Sequence, residues 1–226
     1  MSSDLFKYPR TRHLQGSRLG PGDEDLTQVS VRSLRGHYLV IEEKVDGANA
    51  GVSFDSDANL QLQCRGHYLV GGPSPTEQQF NQFRRWGRTH QDALFDVLGD
   101  QYLLFGEWLY AKHTLYYDRL PALFVAHSVY DPADQSFVPQ ERAREALAAA
   151  GFSVPRLIAT RVPSIEALYG WMDMDSEFGD CKVEGVYVKV TDITRPGTIH
   201  RFKMVRPDFR SDPDWVHRSL VRNKVK

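Results

Sequence analysis

Seven short runs of strand character constrain this chain most, because helices do not alternate with them. They are HYLVIEEK (37–44), AGVSFD (50–55), LQLQCR (60–65), YLLFGEWLY (102–110), ALFVAHSVYD (122–131), VEGVYVKV (183–190) and TIHRFKMV (198–205). Each is apolar or alternates with a period of two. Ser56-Asp57-Ala58-Asn59 joins the second and third as a hairpin, and Pro196-Gly197 turns the last pair. A helix is predicted after Thr76, which caps it and which Gly87 interrupts. Others are predicted over 139–150, stopped by Gly151, over 164–172, capped by Ser164, and after Pro213. This order predicts an α+β fold of mainly antiparallel sheets flanked by helices.

A chain of 226 residues buries enough surface to need no disulfide or metal staple. No low-contact linker divides it, so one domain is expected: an arm at 1–36, a core at 37–206 and a basic helix or tail at 207–226. No run of about 18 apolar residues exists, which excludes a hydrophobic helical span. The first residues have no apolar segment of the secretory kind. Cys64 and Cys181 are the only cysteines, which fits a reducing, cytoplasmic setting. Net charge is −1, yet Arg201 to Lys226 holds eight basic residues against three acidic ones. That basic end suggests a polyanionic partner, although a solvated helix face has the same composition. The arm adds Lys7, Arg10, Arg12, His13 and Arg18.

Lys44 ends the first strand and is followed by Val45-Asp46-Gly47 and Asn49. A lysine at a strand end is ordinarily a solvated residue. Here the Asp-Gly turn fixes it at the mouth of a cleft. A nucleophilic lysine must lose its proton, and lowering its pKa from about 10.4 to about 8 costs roughly 3 kcal/mol. A cation at about 5 Å offsets that at an effective dielectric near 20. Lys189 and Lys203, on adjacent predicted strands, are the expected cations. Glu107 and Glu184 sit at strand ends, where separated carboxylates suit a magnesium ion bridging phosphates.

KVDGAN (44–49), CRG (64–66), FGEW (105–108), VAHSVYD (125–131), VEGVYVKV (183–190) and RFKMV (201–205) resemble, in order, the motifs of the covalent nucleotidyltransferase superfamily. That superfamily contains DNA ligases, RNA ligases and mRNA capping enzymes, and this pattern looks most like the RNA ligase 2 family. The resemblance covers about residues 41–206. It implies an adenylation domain folded around an ATP cleft. Lys44 would attack the α-phosphate of ATP, with Mg2+ or Mn2+, to form a lysyl-adenylate. The adenylate would pass to an RNA 5'-phosphate, and a 3'-hydroxyl would seal the break, as in a nicked duplex.

By the same resemblance Arg65 and Glu107 would hold the ribose and Glu43 would lie beside the adenine. His127 falls where an aromatic stacks on the base, with Phe124 as the competing candidate. Glu184 would engage the metal, with Glu107 as a second carboxylate. Lys189 and Lys203 would contact the α-phosphate, and Asn49 would serve the sealing steps. Asp46, Arg10, Arg18 and Arg201 are further candidates for phosphate or RNA contacts. The family's last motif usually reads Lys-x-Lys, whereas here it is Arg201-Phe202-Lys203.

Two other readings stand beside the RNA ligase. One is a capping-type guanylyltransferase or DNA ligase on the same fold. The other is a nucleic-acid-binding module without catalysis. About twenty residues follow the last predicted strand, so the basic tail is expected to grip RNA in place of an appended domain, alone or with a protein partner. Deleting Val216–Lys226 should then impair sealing more than self-adenylylation.

Overall fold

The computed structural model describes residues 5–20, 22–74, 77–161, 164–191, 199–212 and 219–226. Among the described residues, ten strands form two five-stranded sheets. The strands are β1 (Arg12–His13), β2 (Tyr38–Lys44), β3 (Ala48–Phe54), β4 (Leu60–Cys64), β5 (Leu103–Trp108), β6 (Phe124–Asp131), β7 (Ser136–Phe137), β8 (Leu157–Ala159), β9 (Gly185–Thr191) and β10 (Ile199–Val205). Sheet one runs β1-β10-β9-β2-β8 and sheet two runs β4-β3-β5-β6-β7. Pairing is antiparallel except where β1 lies parallel to β10. The α-helices are α1 (Gln78–Thr89), α2 (Gln91–Leu98), α3 (Gln140–Ala149) and α4 (Ile165–Met172).

Each sheet puts one face of its alternating pattern under helices. On sheet one, Leu39, Ile41, Val186, Val188, Phe202 and Met204 pack with Leu168 and Met172 of α4. On sheet two, Val52, Leu62, Leu104 and Phe124 pack with Phe83, Leu94, Leu98 and Leu147 from α1, α2 and α3. Period-two alternation then leaves Glu42, Lys44, Tyr187, Lys189, Arg201 and Lys203 on the other face of sheet one. That face meets the second sheet, with Lys189 Nζ donating to the His127 carbonyl at 2.6 Å. β2 and β3 belong to different sheets, so Val45-Asp46-Gly47 carries the chain from one to the other just after Lys44.

The arm is built in. Leu14, Val31 and Leu34 are buried in the core of sheet one, and β1 extends that sheet. Ser164 caps α4 through the Ala167 N–H, as expected. Gly87 does not interrupt its helix. The break falls at His90, between α1 and α2. A Cβ at Gly87 would lie 2.8 Å from a Leu62 methyl, so the glycine lets α1 lie close on β4. The Thr76 cap, the Pro196-Gly197 turn and residues 213–218 of the last expected helix lie outside the described residues.

Residues 219–226, the described end of the expected C-terminal helix, are extended rather than helical. They bridge Ala111 and Leu120 through Arg222 and Val225. Asn223 is buried. Its Oδ1 accepts the Tyr117 N–H at 2.9 Å, and its Nδ2 donates to the Leu109 and Ala111 carbonyls at 2.9 and 3.3 Å. The segment thus replaces the missing secondary-structure partners of residues 109–120. Asn223→Ala strands one buried N–H and two carbonyls, so an expected loss of about 2–4 kcal/mol should appear in denaturant unfolding. A loss under about 0.5 kcal/mol, the range of an ordinary surface change, would reject this role.

Candidate active site

A cleft of about 390 Å³ opens between the sheets, lined by Lys44, Asn49, Arg65, Glu107 and Lys203, with Tyr8, Phe80 and Tyr187 as its aromatic walls. Lys44 Nζ donates to Glu184 Oε2 at 2.6 Å, because Lys44 is opposite Gly185 in the β2–β9 register. It also lies 5.4 Å from the Tyr187 ring centroid. Asn49 is opposite Glu107 in the β3–β5 pair. Gly47 permits this closeness: a Cβ there would lie 2.5 Å from Leu109 and 3.1 Å from the Trp108 carbonyl.

Burial pushes the Glu107 carboxyl up to about 8 and Glu184 up to about 7, with Lys44 only partly opposing it. Burial alone would lower Lys44. Glu184, Tyr187 and Glu107 outweigh it and hold the amine above its ordinary value as an ammonium. The expected activation of Lys44 by Lys189 and Lys203 is therefore corrected for the free protein, since carboxylates are the nearest charges. Two carboxyls facing one cation leave one of them protonated near neutrality. Glu107 fits that role, and its Oε2 is buried without a hydrogen-bond partner.

Several expected contacts are engaged elsewhere. Glu43 points to the opposite face of β2 from Lys44, because neighbours on a strand alternate. It accepts the Ser176 hydroxyl at 2.5 Å. Lys189 is 1% exposed and donates to Glu42 at 2.6 Å and to the His127 carbonyl. Burial pushes it down to about 8 despite Glu42. Arg201 stacks on Phe137, 3.2 Å from the ring centroid. Neither Lys189 nor Arg201 lines the cleft.

Asp46 accepts the Thr114 and Leu115 N–H groups at 2.8 Å each and anchors that loop, rather than waiting for a phosphate. Arg10 pairs with Asp25 and the Gly22 carbonyl inside the arm. Arg18 is half-buried, its N–H on the Val205 carbonyl. Phe124 is a core residue of sheet two.

His127 sits at an irregularity of the β5–β6 ladder, where the register shifts between Phe105 and Gly106. There β6 carries one extra residue, and such a bulge re-aims a side chain. It turns His127 inward, edge-on to Tyr8 with centroids 5.1 Å apart, and 3.9 Å from Glu107 Oε1. Burial, then Lys189 and Arg201, keep the imidazole neutral. His127 does not line the cleft, so the aromatic surfaces offered there are Tyr8, Phe80 and Tyr187. Tyr187 was readable from its shared parity with Lys189. Tyr8 and Phe80 come from an arm and a helix that no strand pattern connects to the site.

Among the described residues, no group of three or more His, Cys, Asp or Glu side chains could hold a metal ion. No helix among them is long and apolar enough to cross a membrane.

Lys44 at a sheet-to-sheet turn, paired with Glu184 beside the neighbouring strand of its own sheet and facing the cleft between two antiparallel sheets, is the layout of a nucleotidyltransferase fold. The RNA ligase family model matches residues 37–205, and the chain belongs to that family. Among curated proteins none matches. The fold is shared with solved structures of a Naegleria gruberi RNA ligase. One, a variant with ATP and Mn, has a TM-score of 0.60 at 16% identity, covering 77% of this chain and 51% of that one. A second, with pyrophosphate, has a TM-score of 0.59 at 15% identity and the same coverage. A third, a variant with AMP and Mn, has a TM-score of 0.58 at 14% identity, again with the same coverage. This chain thus spans about half the length of the solved structures it matches.

A carboxyl protonated in the folded state and ionised in the unfolded state stabilises the fold below its folded pKa. That stability is fully present below the ordinary value of 4.5 and is lost as pH rises through about 7 to 8 for Glu184 and Glu107. In thermal melts, Glu107→Gln should therefore lose less stability than wild type between pH 6 and pH 8.5. Equal slopes would show that Glu107 is ionised in the fold.

Proposed function

We propose that this chain carries the ATP-dependent adenylylation and sealing activity of an RNA ligase, with Lys44 as the nucleophile. The observation that carries this reading is the Lys44 ammonium at 2.6 Å from Glu184 in a cleft that also presents Lys203, Arg65 and the unpartnered Glu107 oxygen. Triphosphate entering the cleft would compete with Glu184 for Lys44, while Lys203 and Arg65 offset the phosphate charge. The orphaned Glu107 oxygen suits a ribose hydroxyl donor.

Once deprotonated, the Lys44 Nζ lone pair attacks the α-phosphorus. A P–N bond forms, the bond from the α-phosphorus to the bridging oxygen breaks, and pyrophosphate leaves. The AMP then passes to an RNA 5'-phosphate, and a 3'-hydroxyl displaces it to close the strand. The Naegleria ligase holds ATP or AMP with Mn. In this chain Glu184, with Glu107 beside it, is the carboxylate that would hold Mg2+ or Mn2+ against the phosphates. Such an ion would neutralise phosphate charge. With no three-residue cage among the described residues, phosphate and water oxygens would complete its shell.

Incubation with α-labelled ATP and magnesium or manganese should leave a label that survives denaturation and mild alkali, but not acid, on wild type and none on Lys44→Ala. An unlabelled wild type, or equal label on the variant, would refute the proposal. Labelling by GTP in place of ATP would move the chain to the capping-type reading, and sealing confined to all-DNA nicks to the DNA ligase reading.

A further inference from the structure

The arm forms part of the cleft wall, since Tyr8, Pro9 and Thr11 line it. It is registered there by β1, whose His13 lies opposite Lys203, and by the Leu14 N–H, which donates to the Lys203 carbonyl at 2.9 Å. From this strap Asp23 reaches the cleft lysine: Lys203 Nζ donates to Asp23 Oδ2 at 2.5 Å. The same oxygen lies 3.0 Å from His13 Nε2, and His13 Nδ1 lies 2.7 Å from Ser17 Oγ. Ser17 Oγ also accepts the Val205 N–H at 2.9 Å.

His13 is 1% exposed, and burial lowers its pKa despite Asp23. The neutral ring satisfies every partner in one tautomer, with Nε2–H donating to Asp23 and Nδ1 accepting the Ser17 hydroxyl. Arg10 holds the turn from outside through Asp25 and the Gly22 carbonyl. The result is a closed relay from the β10 backbone through Ser17, His13 and Asp23 back to the side chain of β10's own Lys203.

We infer that Asp23 is a positioning residue for adenylylation, acting through Lys203. One charge-assisted hydrogen bond to Asp23 fixes the ammonium at the cleft wall and leaves two of its three donors for phosphate oxygens. Without that tether Lys203 is a point charge on a flexible four-carbon stem, which must be ordered each time a phosphate binds. Lys189, a third lysine of this sheet face beside Lys44 and Lys203, is already committed to Glu42. This inference rests on the reading of Lys44 as nucleophile and Lys203 as a phosphate contact.

Single-turnover labelling of Lys44 tests it. Asp23→Asn keeps the shape and removes the charge. It should slow the adenylylation rate constant about tenfold without raising the ATP concentration for half-maximal rate. A purely structural role would reduce the labelled amplitude and the melting temperature and leave the rate constant unchanged, because the amplitude counts folded molecules. His13→Gln, which loosens Asp23 without touching Lys203, should slow the rate to a smaller degree. In a Lys203→Ala background, Asp23→Asn should cause no further slowing. An unchanged rate constant in Asp23→Asn, or losses that multiply in the double variant, would overturn the inference while leaving the ligase reading intact. Absence of label in wild type would overturn both.

Discussion

The charge on Lys44 is the constraint around which the rest of the site is arranged. An ammonium between two sheets needs a partner within hydrogen-bond reach, and Glu184 supplies it at 2.6 Å. Removing one member of such a buried pair typically costs 3–5 kcal/mol, since the survivor is left charged and unpaired. The free protein therefore keeps its candidate nucleophile as an ammonium. The proposed reaction requires the opposite state, a neutral amine. The two needs are compatible only if phosphate draws on Glu184's partner while Lys203 and Arg65 balance the incoming charge. On the proposed reading, activation would belong to the nucleotide-bound state.

A second layer of charge lies deeper. Glu42 accepts from Lys189, Gln140 and Arg144, and Lys189 reaches across to the His127 carbonyl. These groups join sheet one to β6 and α3 through polar contacts, where the outer faces pack on their helices mainly through apolar side chains. Every buried charge in this layer has an opposite partner, as burial demands. Lys189 thus acts as a joint between the sheets, and Lys203 is left beside Lys44 as the second lysine that faces the cleft.

The turn after Lys44 is held from three directions. Asp46 binds the backbone at Thr114 and Leu115, and its own N–H donates to the Tyr117 hydroxyl at 2.9 Å. Asn223 fixes the same stretch from its far side. The Lys-x-Asp-Gly pattern therefore has a division of labour. The lysine meets the cleft, the aspartate anchors a loop, and the glycine allows close contact with β5.

Sequence alone determined seven of the ten described strands, the antiparallel α+β class and the motif order, because period-two alternation and turn residues are local properties, whereas the short strands β1, β7 and β8 carry no such pattern. The motifs also picked out Lys44, Asn49, Arg65, Glu107 and Lys203, which the structure gathers in the cleft. Only the tertiary structure decided which charges meet. Glu43 and Lys44 are adjacent in sequence yet face opposite ways. Asp46 and Arg10 read as phosphate contacts until a loop backbone and Asp25 are seen to occupy them. The end of the basic tail reads as wholly solvated until Asn223 is seen buried. Asp23 and Tyr8 carry no motif at all. Their role follows from the parallel pairing of β1 with β10, a contact between residues about 190 positions apart. Such pairings are set by the competition of all buried groups for partners, which no local pattern records.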